Sequence, residues 1–516
     1  MQFNFSSLRI SLTILAALFW IGVEAQSPND PKPNVIYILV DDLGYGDVNF
    51  NLPDIAEFKN PYVQTPSLAK LAEESLVFRH HYAAAPVCSP SRAGLLTGRT
   101  PTRHNINLYI RDTKDDDQIF LPGKEVTIAE VLQSAGYETA IFGKWHLNGA
   151  DWENQDNWTG WTGSFPNQQG FSAGMVSKEN PHFTRLLKTN TQRHPGDFFT
   201  VTGQPLGPIK GYTSDIITNS AVAWMRDQRD SSRPFFLYLP YDAVHIRVEA
   251  SDQFEAMYGT GNARKDAYYG NITHLDAAIG NLLKALDSLD LTKNTIIFFS
   301  SDNGPDVLRR WEATYYCYGT SYPLYGQKYQ LYEGGTRVPG MVRWPGVVDS
   351  GISDEPNSTL DILPTLCELV DVPLPSNRSL DGVSILNHLT ENEKIKREQP
   401  LYWQFESPSE YEMIGEGYDR RLDGSLRKPN GPRPVVAIRE GNYVLRGWQT
   451  EKFTIPTEFT LVDVVNDPEE QQELSKVKPD IYQRLKQKLI DKYQEVNTER
   501  LKTASDVEQK VSQLPE

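Results

Sequence analysis

The stretch that decides the fold is Val35-Ile36-Tyr37-Ile38-Leu39-Val40, which is followed at once by Asp41-Asp42. A continuous β-favouring apolar run suits a strand that is covered on both faces, as in a parallel sheet between helices. Similar runs recur at Thr139–Phe142, Phe235–Leu239 and Ile296–Phe299. Helical patterns separate them, at Ser67–Ser75, Ile128–Ala135, Thr218–Gln228 and Lys265–Leu289. This alternation predicts an α/β domain.

A smaller second domain is predicted after the charged stretch Glu391–Glu398. The pattern there changes to short strands of an antiparallel layer, at Leu401–Phe405, Val435–Arg439, Tyr443–Arg446 and Phe459–Val464. A final helix carries apolar residues at helical spacing, namely Ile481, Leu485, Leu489 and Tyr493. We therefore expect a main domain over residues 26–395 and a small α+β domain over residues 396–516.

The first 25 residues predict a signal peptide. Arg9 precedes an apolar run, Leu12–Val23, and the segment ends in Val23-Glu24-Ala25, so cleavage is expected before Gln26. An uncleaved anchor is the alternative, although the run is short for a membrane span. No later segment approaches that length. The sequence thus predicts an exported protein, periplasmic or secreted, without stable membrane insertion.

Composition excludes several classes of protein. The 516 residues hold 51 basic and 67 acidic side chains, a net charge of −16, which argues against a nucleic-acid binder. A hydrophobic content of 39% excludes wholesale disorder. Three cysteines cannot build a disulfide scaffold, and Cys317 with Cys367 allows one disulfide at most. Sequons at Asn157, Asn271, Asn357 and Asn377 would permit glycosylation. The scarcity of disulfides nevertheless favours a bacterial periplasm.

Polar side chains follow each of the four apolar runs. These are Asp41-Asp42, then Gly143-Lys144-Trp145-His146, then Asp242 and His245, and finally Ser301-Asp302-Asn303-Gly304. Any one of them alone suits a cap or a turn. Because ligands of open α/β sheets bind at the carboxyl ends of the strands, four such groups together indicate a functional site.

Asp41, Asp42, Asp302 and Asn303 would supply only hard oxygen donors, which suit Ca²⁺, or less readily Mg²⁺, rather than zinc. One alternative is that Asp41 or Asp42 caps a helix while the other is solvated. A two-zinc phosphatase centre is a second alternative, but it would need several histidines as ligands, and the chain has nine in all.

The sharpest local signal runs from Pro86 to Arg99 and reads Pro-Val-Cys-Ser-Pro-Ser-Arg-Ala-Gly-Leu-Leu-Thr-Gly-Arg. Pro90 favours a first helical turn, which places Cys88 at or just before a helix N-terminus, with Arg92 one turn on. Such an arrangement could bind an anion, or Cys88 could be buried and inert. A phosphotyrosine-type phosphatase is excluded, because five residues would separate its cysteine from its arginine, and position 94 is Gly94.

Cys88-Ser-Pro-Ser-Arg92, continuing to Arg99, resembles the C-x-P-x-R signature of type I sulfatases. The resemblance covers nearly the whole mature chain. Further similar segments are Asp41–Asp47, Thr65–Ala72, Gly143–Leu147, Ser301–Gly304, Lys328–Gly335, Arg337–Pro339, Asp361–Thr365 and Asp467–Glu469. The resemblance implies an alkaline-phosphatase-like large mixed sheet between helices, with a smaller C-terminal domain.

The resemblance also implies the chemistry. In this family the motif cysteine is oxidised to Cα-formylglycine, so Cys88 would be the precursor of the nucleophile, and a formylglycine-generating maturation enzyme would be a partner. One hydroxyl of the aldehyde hydrate would attack sulfur, and loss of the second hydroxyl's proton would then expel sulfate. One Ca²⁺ would be held by Asp41, Asp42, Asp302 and Asn303.

The remaining roles implied by the resemblance concern charge and protons. Arg92 and Lys144 would hold the diol and the charges near the metal, and His146 would assist breakdown of the intermediate. His245 and Lys328 would contact sulfate and the bridging oxygen, with His245 the better source of the leaving-group proton. The context of His245, Tyr-Asp-Ala-Val-His, departs from the proline-bearing family pattern, so an ordinary packed histidine is the alternative.

Substrate identity would lie in aromatic and arginine-rich segments, which suit sugars bearing anionic groups. Candidate binding residues are Arg309, Arg310 and Trp311. Others lie in Asp151–Phe171 and in Tyr418–Arg433. Loop packing is the alternative for each. We expect a sulfuric ester hydrolase of sulfated saccharides, similar to N-acetylgalactosamine-6-sulfatases. The rivals are a formylglycine-dependent phosphodiester or phosphonate hydrolase and a catalytically silent carbohydrate-binding relative.

Overall fold

The structure, a computed structural model, describes residues 32–50, 63–110, 120–150, 161–162, 164–177, 198–206, 209, 211–245, 248, 250–307, 317–406, 419–420, 426–427, 433–449, 451 and 453–511. The expected signal peptide, residues 1–25, lies outside these ranges.

The strands in chain order are β1 (Asn34–Val40), β2 (Leu76–Phe78), β3 (His81–Tyr82), β4 (Glu138–Lys144), β5 (Gly149–Ala150), β6 (Trp161–Thr162), β7 (Ala173–Ser177), β8 (Phe198–Thr200), β9 (Phe235–Tyr241), β10 (Thr295–Ser301), β11 (Gly340–Arg343), β12 (Gly351–Ser353), β13 (Asn357–Ser358), β14 (Leu401–Gln404), β15 (Asp419–Arg420), β16 (Leu426–Arg427), β17 (Val436–Glu440), β18 (Tyr443–Trp448) and β19 (Glu458–Asp463). Among these, the four apolar runs of the sequence are β1, β4, β9 and β10, as predicted.

The α-helices in chain order are α1 (Pro66–Glu73), α2 (Cys88–Thr97), α3 (Ile128–Ser134), α4 (Thr213–Ala223), α5 (Asp252–Glu255), α6 (Ala263–Ser288), α7 (Glu333–Thr336), α8 (Ile362–Leu369), α9 (Leu386–Glu391) and α10 (Pro479–Val511). Short 3₁₀ turns lie at Pro101–His104, Pro166–Gln169, Thr292–Asn294 and Thr359–Asp361, and a π-helical turn at Trp224–Gln228. Four helical patterns of the sequence match α1, α3, α4 and α6 to within a few residues, with one difference. The pattern at Thr218–Gln228 is the end of α4 and the π turn, and the helix begins five residues earlier.

A nine-stranded mixed sheet, in the order β12-β2-β11-β10-β1-β9-β4-β7-β8, forms the centre of the main domain. The five strands from β10 to β7 are parallel, and β11 and β8 run antiparallel to their inner neighbours. Helices pack on both faces of the sheet, and β1 lies inside it between β10 and β9, which explains the unbroken apolar sequence of β1.

Alternate residues of β1 enter two different cores. Ile36, Ile38 and Val40 face helices α1, α4 and α6, whereas Val35, Tyr37 and Leu39 face α2, α3 and α8. The main domain is therefore a three-layer α/β structure, as the resemblance implies. The carboxyl ends of its parallel strands lie at one edge of the sheet.

The small domain contains a four-stranded antiparallel sheet, in the order β14-β17-β18-β19. One face packs against helix α10 through Leu485, Leu489, Tyr493 and Val496. The other face joins a buried cluster with main-domain residues, including Tyr82, Val87 and Leu331. Val87 immediately precedes Cys88, so the small domain supports the start of α2.

Ion pairs of two buried arginines also fasten α10 to the segment that follows α2. Arg103 contacts Asp381, Glu495 and Glu499, and Arg99 contacts Glu125 and Glu499. Both arginines are almost fully buried. The end of the chain is thus tied to the helix that begins at Cys88.

The structure describes all three cysteines and three of the four sequon asparagines. The cysteines are unpaired and buried, which lies within the expected maximum of one disulfide. Asn271 and Asn357 are buried, which places two of the sequons out of reach in the folded chain, whereas Asn377 is exposed. Within the ranges given above, none of the helices is both long enough and apolar enough to cross a membrane.

Candidate active site

The sequence-predicted residues meet at the carboxyl edge of the sheet. Asp41 follows β1, Lys144 ends β4, Asp242 follows β9 and Asp302 follows β10. Since these four strands are neighbours and parallel, their ends converge. Backbone hydrogen bonds hold the ends together, for example from Asp41 N to Ala243 O at 3.0 Å and from Asp302 N to Val40 O at 3.0 Å.

Asp41, Asp42 and Asp302 form a group that could hold a metal ion. One carboxylate oxygen from each lies within 4.8 Å of the others, and all three residues are buried. Oxygen ligands at 2.3–2.6 Å from a Ca²⁺ would be separated by up to roughly 5 Å, which this spacing matches. Mg²⁺ requires shorter bonds.

Asn303 completes the donor set. Its Nδ2 donates to Asp42 Oδ1 at 2.7 Å and to Gly304 O at 2.8 Å. Its Oδ1 is buried and accepts no hydrogen bond from any residue in the described part of the chain. A buried oxygen without a donor is costly, and a cation would satisfy it. The residues present therefore fit a hard divalent cation.

Three cations pair with the three carboxylates. Lys144 Nζ lies 2.5 Å from Asp41 Oδ2, and Lys328 Nζ lies 2.6 Å from Asp42 Oδ1. Arg92 donates from Nε at 3.0 Å and from Nη2 at 2.8 Å to Asp302 Oδ2. The six charges cancel, so a divalent cation would leave this group with a charge of +2, favourable for an anionic substrate.

The pKa values of the three carboxyl groups differ. Burial raises the pKa of Asp42 to about 7, opposed by Lys328 and reinforced by Asp41. Burial also raises the pKa of Asp302 to about 6, with Asp41 adding to the rise and Arg92 opposing it. Burial works against ionisation of Asp41 too, but Lys144, His245 and Arg92 hold its pKa well below the usual value. A bound cation would favour the ionised form of all three.

Cys88 is the first residue of α2, as the sequence predicts. Its preceding residue, Val87, is extended and caps no backbone group by its side chain. Cys88 Sγ lies 3.4 Å from Asp41 Oδ1, and 1% of the residue is exposed. Burial and the charge of Asp41 raise the pKa of the thiol well above its usual value. An unmodified Cys88 would therefore be a poor nucleophile.

Arg92 and Lys144 share Asp41 as an ionic partner, and Arg92 also donates to the backbone of Lys144. Arg92 Nη1 donates to Lys144 O at 2.8 Å, and Arg92 Nη2 lies 3.5 Å from Asp41 Oδ2. Gly143 permits this placement, because its φ is +129° and a Cβ there would lie 2.0 Å from Pro240 O. The glycine thus allows β4 to approach β9 just before Lys144.

Two histidines face the group from different elements. His245 Nε2 lies 3.8 Å from Asp42 Oδ2, and its side chain is 13% exposed, so it can meet both the site and solvent. His146 Nε2 lies 3.0 Å from Ile110 O, which can only accept, so Nε2 carries the hydrogen and Nδ1 the lone pair. Burial, with Lys144 and Arg92, lowers the pKa of His146 well below its usual value, which keeps the ring neutral.

Strained backbone occurs at three positions at or beside the site. Of nine non-glycine residues with positive φ in the described ranges, three belong to the site or adjoin it, namely Asp42 at +61°, His146 at +54° and Tyr329 at +67°. Such conformations cost of order 1 kcal/mol each and persist where surrounding contacts enforce them. The fold therefore fixes these side chains at some energetic cost.

A polar pair that sequence reasoning missed crosses the end of β4. Ser177 Oγ, at the end of β7, lies 3.0 and 2.8 Å from the two carboxylate oxygens of Asp242, at the end of β9. Burial raises the pKa of Asp242 to about 7, with Lys144 opposing the rise. Asp242 was visible as a strand-end acid, whereas Ser177 gave no signal because β7 is short and contains Gly174.

The residues expected to bind substrate, Arg309, Arg310 and Trp311, lie outside the described residues. The same holds for most of the aromatic segment 151–171 and of the arginine-rich segment 418–433. The sequence-predicted residues that the structure does describe, from Cys88 to the four oxygen donors, lie together at one sheet edge.

Comparisons with known proteins show the family to which the chain belongs. The sulfatase family model matches residues 33–372. The N-acetylgalactosamine-6-sulfatase of Rattus norvegicus is 30% identical over 410 residues, which cover 77% of this chain and 72% of the relative. Arylsulfatase A of Bos taurus is 32% identical over 440 residues, 82% of this chain and 75% of the relative.

A solved structure is also similar. Ps i-CgsB in complex with k-i-k-neocarrahexaose superposes with a TM-score of 0.67 at 25% identity, over 89% of this chain and 93% of that chain. The fold and the carboxyl-edge site define a hydrolase of the type I sulfatase class. The chain belongs to the sulfatase family and is a sulfuric ester hydrolase.

Proposed function

We propose that this protein removes sulfate from sulfated saccharides with a formylglycine nucleophile and one Ca²⁺. One observation carries the proposal: Cys88, at the start of α2, lies 3.4 Å from a carboxylate of a fully buried group of oxygen donors and cations. This arrangement brings a modifiable residue, a metal site and positive charge to one point.

Conversion of Cys88 to Cα-formylglycine would supply a hydrated aldehyde whose hydroxyl can attack sulfur. The surroundings of Cys88 support such a conversion, because burial and Asp41 raise the pKa of the unmodified thiol and keep it protonated. Arg92 and Lys144, whose charged groups both lie near Asp41, would hold the hydroxyl groups of residue 88 and favour their ionisation.

A Ca²⁺ held by Asp41, Asp42, Asp302 and Asn303 would polarise a sulfate oxygen. Lys328, 2.6 Å from Asp42, would then bind a second sulfate oxygen from the other side of the group. The transferred anion would thus meet fixed positive charge in a site from which water is excluded, where electrostatic stabilisation is strongest.

His245 and His146 would move the protons. His245, partly exposed beside Asp42, is placed to protonate the bridging oxygen of the leaving alcohol. His146 Nδ1 carries a lone pair, so this neutral ring can accept the proton that is lost when sulfate is released. Each histidine would serve one half of the reaction.

Saccharide substrates are supported by the comparisons. One relative is named for N-acetylgalactosamine 6-sulfate, and the solved structure holds k-i-k-neocarrahexaose. An exported enzyme, periplasmic or secreted, with its catalytic domain over 26–395, would meet such polymers outside the cytoplasm. We expect attack at the ends of oligosaccharides.

The test measures sulfate release from N-acetylgalactosamine 6-sulfate, k-i-k-neocarrahexaose and 4-nitrophenyl sulfate, with 4-nitrophenyl phosphate as the competing ester. We expect faster sulfate than phosphate release. A Cys88→Ala variant should lose at least a thousandfold in kcat, as removal of a covalent nucleophile does. Mass spectrometry of the Cys88 peptide should show an aldehyde in place of the thiol. Faster phosphate release, or full activity of Cys88→Ala, would overturn the proposal.

A further inference from the structure

Three half-buried side chains border the active site and have no part in the chemistry described above. Leu108, Tyr109 and Tyr329, here named the aromatic ledge, pack against the buried cluster that includes Val87 and Leu331. Each remains partly exposed. Val87 immediately precedes Cys88. The ledge therefore packs against the same buried cluster that holds the start of α2.

Tyr329 is fixed between the start of α2 and the Lys328 side chain. Its backbone N–H donates to Pro86 O at 2.8 Å, two residues before Cys88. Its ring centroid lies 5.6 Å from Lys328 Nζ and 6.3 Å from the ring of Phe405 in the small domain. Its φ of +67° is unfavourable for a tyrosine, so these contacts enforce its position.

Tyr109 extends the ledge towards the other side of the site. Its ring centroid lies 6.5 Å from that of Tyr329, at an interplanar angle of 63°. The next residue, Ile110, accepts the hydrogen bond of His146 through its carbonyl oxygen. The ledge therefore runs from the neighbour of His146 to Lys328, along the residues that would surround a bound sulfate ester.

We infer that the aromatic ledge binds the apolar face of the sugar ring that carries the sulfate. The inference rests on the proposed function and names the part of the substrate that this surface recognises. A pyranose presents C–H groups on one face, which pack well on aromatic rings, and hydroxyls at its rim, which the tyrosine hydroxyls can reach. Because Lys328 Nζ lies 5.6 Å from the centroid of the Tyr329 ring, the proposed sulfate subsite and sugar-ring subsite would be neighbours.

The decisive variant is Tyr329→Gly, because glycine adopts the positive φ without cost while the ring is lost. The substrate is the panel member that the wild-type enzyme desulfates fastest. We expect its KM to rise about tenfold, a loss of about 1.4 kcal/mol, with kcat within about twofold. Inhibition by the desulfated product sugar should weaken in parallel, whereas inhibition by inorganic sulfate should not change.

Two variants serve as controls. Tyr329→Phe keeps the ring and should keep most of the affinity. Tyr482→Ala removes another half-buried tyrosine beside a lysine, with Lys486 Nζ 5.9 Å from its ring, but on helix α10, and should leave KM unchanged. If Tyr329→Gly does not fold, Tyr109→Ala carries the same expectation.

Two results would overturn the inference. Tyr329→Gly with wild-type KM and product inhibition would show that no ring binds there. A fall in kcat together with weaker inhibition by inorganic sulfate would show that Tyr329 acts through Lys328 as a positioning residue. A wild-type enzyme that desulfates no sugar of the panel would instead refute the proposed function, and the inference would fall with it.

Discussion

His245 is the residue whose contribution should depend on the leaving group. Its imidazole lies 3.8 Å from Asp42 and is partly exposed, which suits a proton donor at the mouth of a buried site. A sugar hydroxyl is a poor leaving group and needs that proton, whereas 4-nitrophenolate leaves readily without it. If His245 is the proton donor, its loss should therefore affect sugar sulfates more than 4-nitrophenyl sulfate.

We predict that His245→Gln lowers kcat on a sulfated sugar about a hundredfold or more, the usual contribution of general acid catalysis. On 4-nitrophenyl sulfate the loss should be under about tenfold, because little protonation is needed. Steady-state kinetics on both substrates gives the comparison. His274→Gln, which removes a buried histidine that pairs with Asp215 on α4, is the matched control and should leave both rates intact. Equal losses on the two substrates would contradict the assignment.

At the scale of elements, the junction of α10 with the main domain includes one buried carboxylate that bridges two cations. Asp381 accepts from Arg103 Nε and Nη2, both at 2.8 Å, and from Lys492 Nζ at 2.8 Å. Burial opposes its ionisation, but Arg103 and Lys492 hold its pKa well below the usual value. The helix is therefore fastened by a charge that is lost only in acid.

We predict that Asp381→Asn lowers the free energy of unfolding by about 3 kcal/mol at pH 7, because Arg103 is left buried without its main partner. The pKa of Asp381 is lower in the folded than in the unfolded chain, where it is about 3.9, so its stabilisation is complete above that value and declines below it. Urea unfolding at pH 7, 5 and 3 should show the difference unchanged between 7 and 5 and smaller at 3.

The control for this experiment is Asp227→Asn, which breaks an exposed pair with Arg226 and should not change stability measurably. A difference between Asp381→Asn and wild type that grows as the pH falls to 3 would contradict the expected sign.

The elements that the sequence predicts well are those whose pattern reflects burial on both faces. Strands β1, β4, β9 and β10 are continuous apolar runs, and their short length and content of β-branched and aromatic residues favour strands over helices. The short strands β2, β8 and β12 have three residues each and gave no signal, because their pairing depends on distant neighbours. Register and sheet order, such as β10 beside β1, arise from packing and could not be derived from local pattern.

In the site, too, some features could be predicted from local sequence and others depend on the folded backbone. Strand-end acids and the Cys88–Arg92 spacing were readable, since strand polarity brings Asp41 and Asp302 to one edge. Contacts that depend on backbone conformation were not readable. Tyr329 donates to Pro86 from a backbone with positive φ, and Ser177 contacts Asp242 across the end of β4.

For the whole molecule, the small domain is part of the support of the active site. Val87 shares a buried cluster with Trp403 and Val444, and removal of residues 396–516 would take away the small-domain side of this cluster. Trp403 Nε1 also donates to Ala83 O at 2.8 Å, close to the signature segment. Burial of such side chains is worth about 2 kcal/mol each, a large part of the stability of a domain.

We predict that a fragment of residues 32–395 is insoluble or unfolded, because it exposes this apolar cluster and leaves Arg99 and Arg103 without Glu499. Size-exclusion chromatography and circular dichroism of the fragment beside the full chain provide the measurement. A monomeric fragment with cooperative thermal unfolding would show that the two domains are independent, contrary to this expectation.

The burial of Cys88 has a consequence for the order of events during biosynthesis. With 1% of Cys88 exposed and every residue of α2 buried, another enzyme cannot bind this segment once the chain has folded. Any enzymatic oxidation of Cys88 must therefore occur while residues around Pro86–Arg99 are still extended, during or soon after synthesis. Under the proposed formylglycine mechanism, a chain that folds before Cys88 is modified would therefore stay inactive.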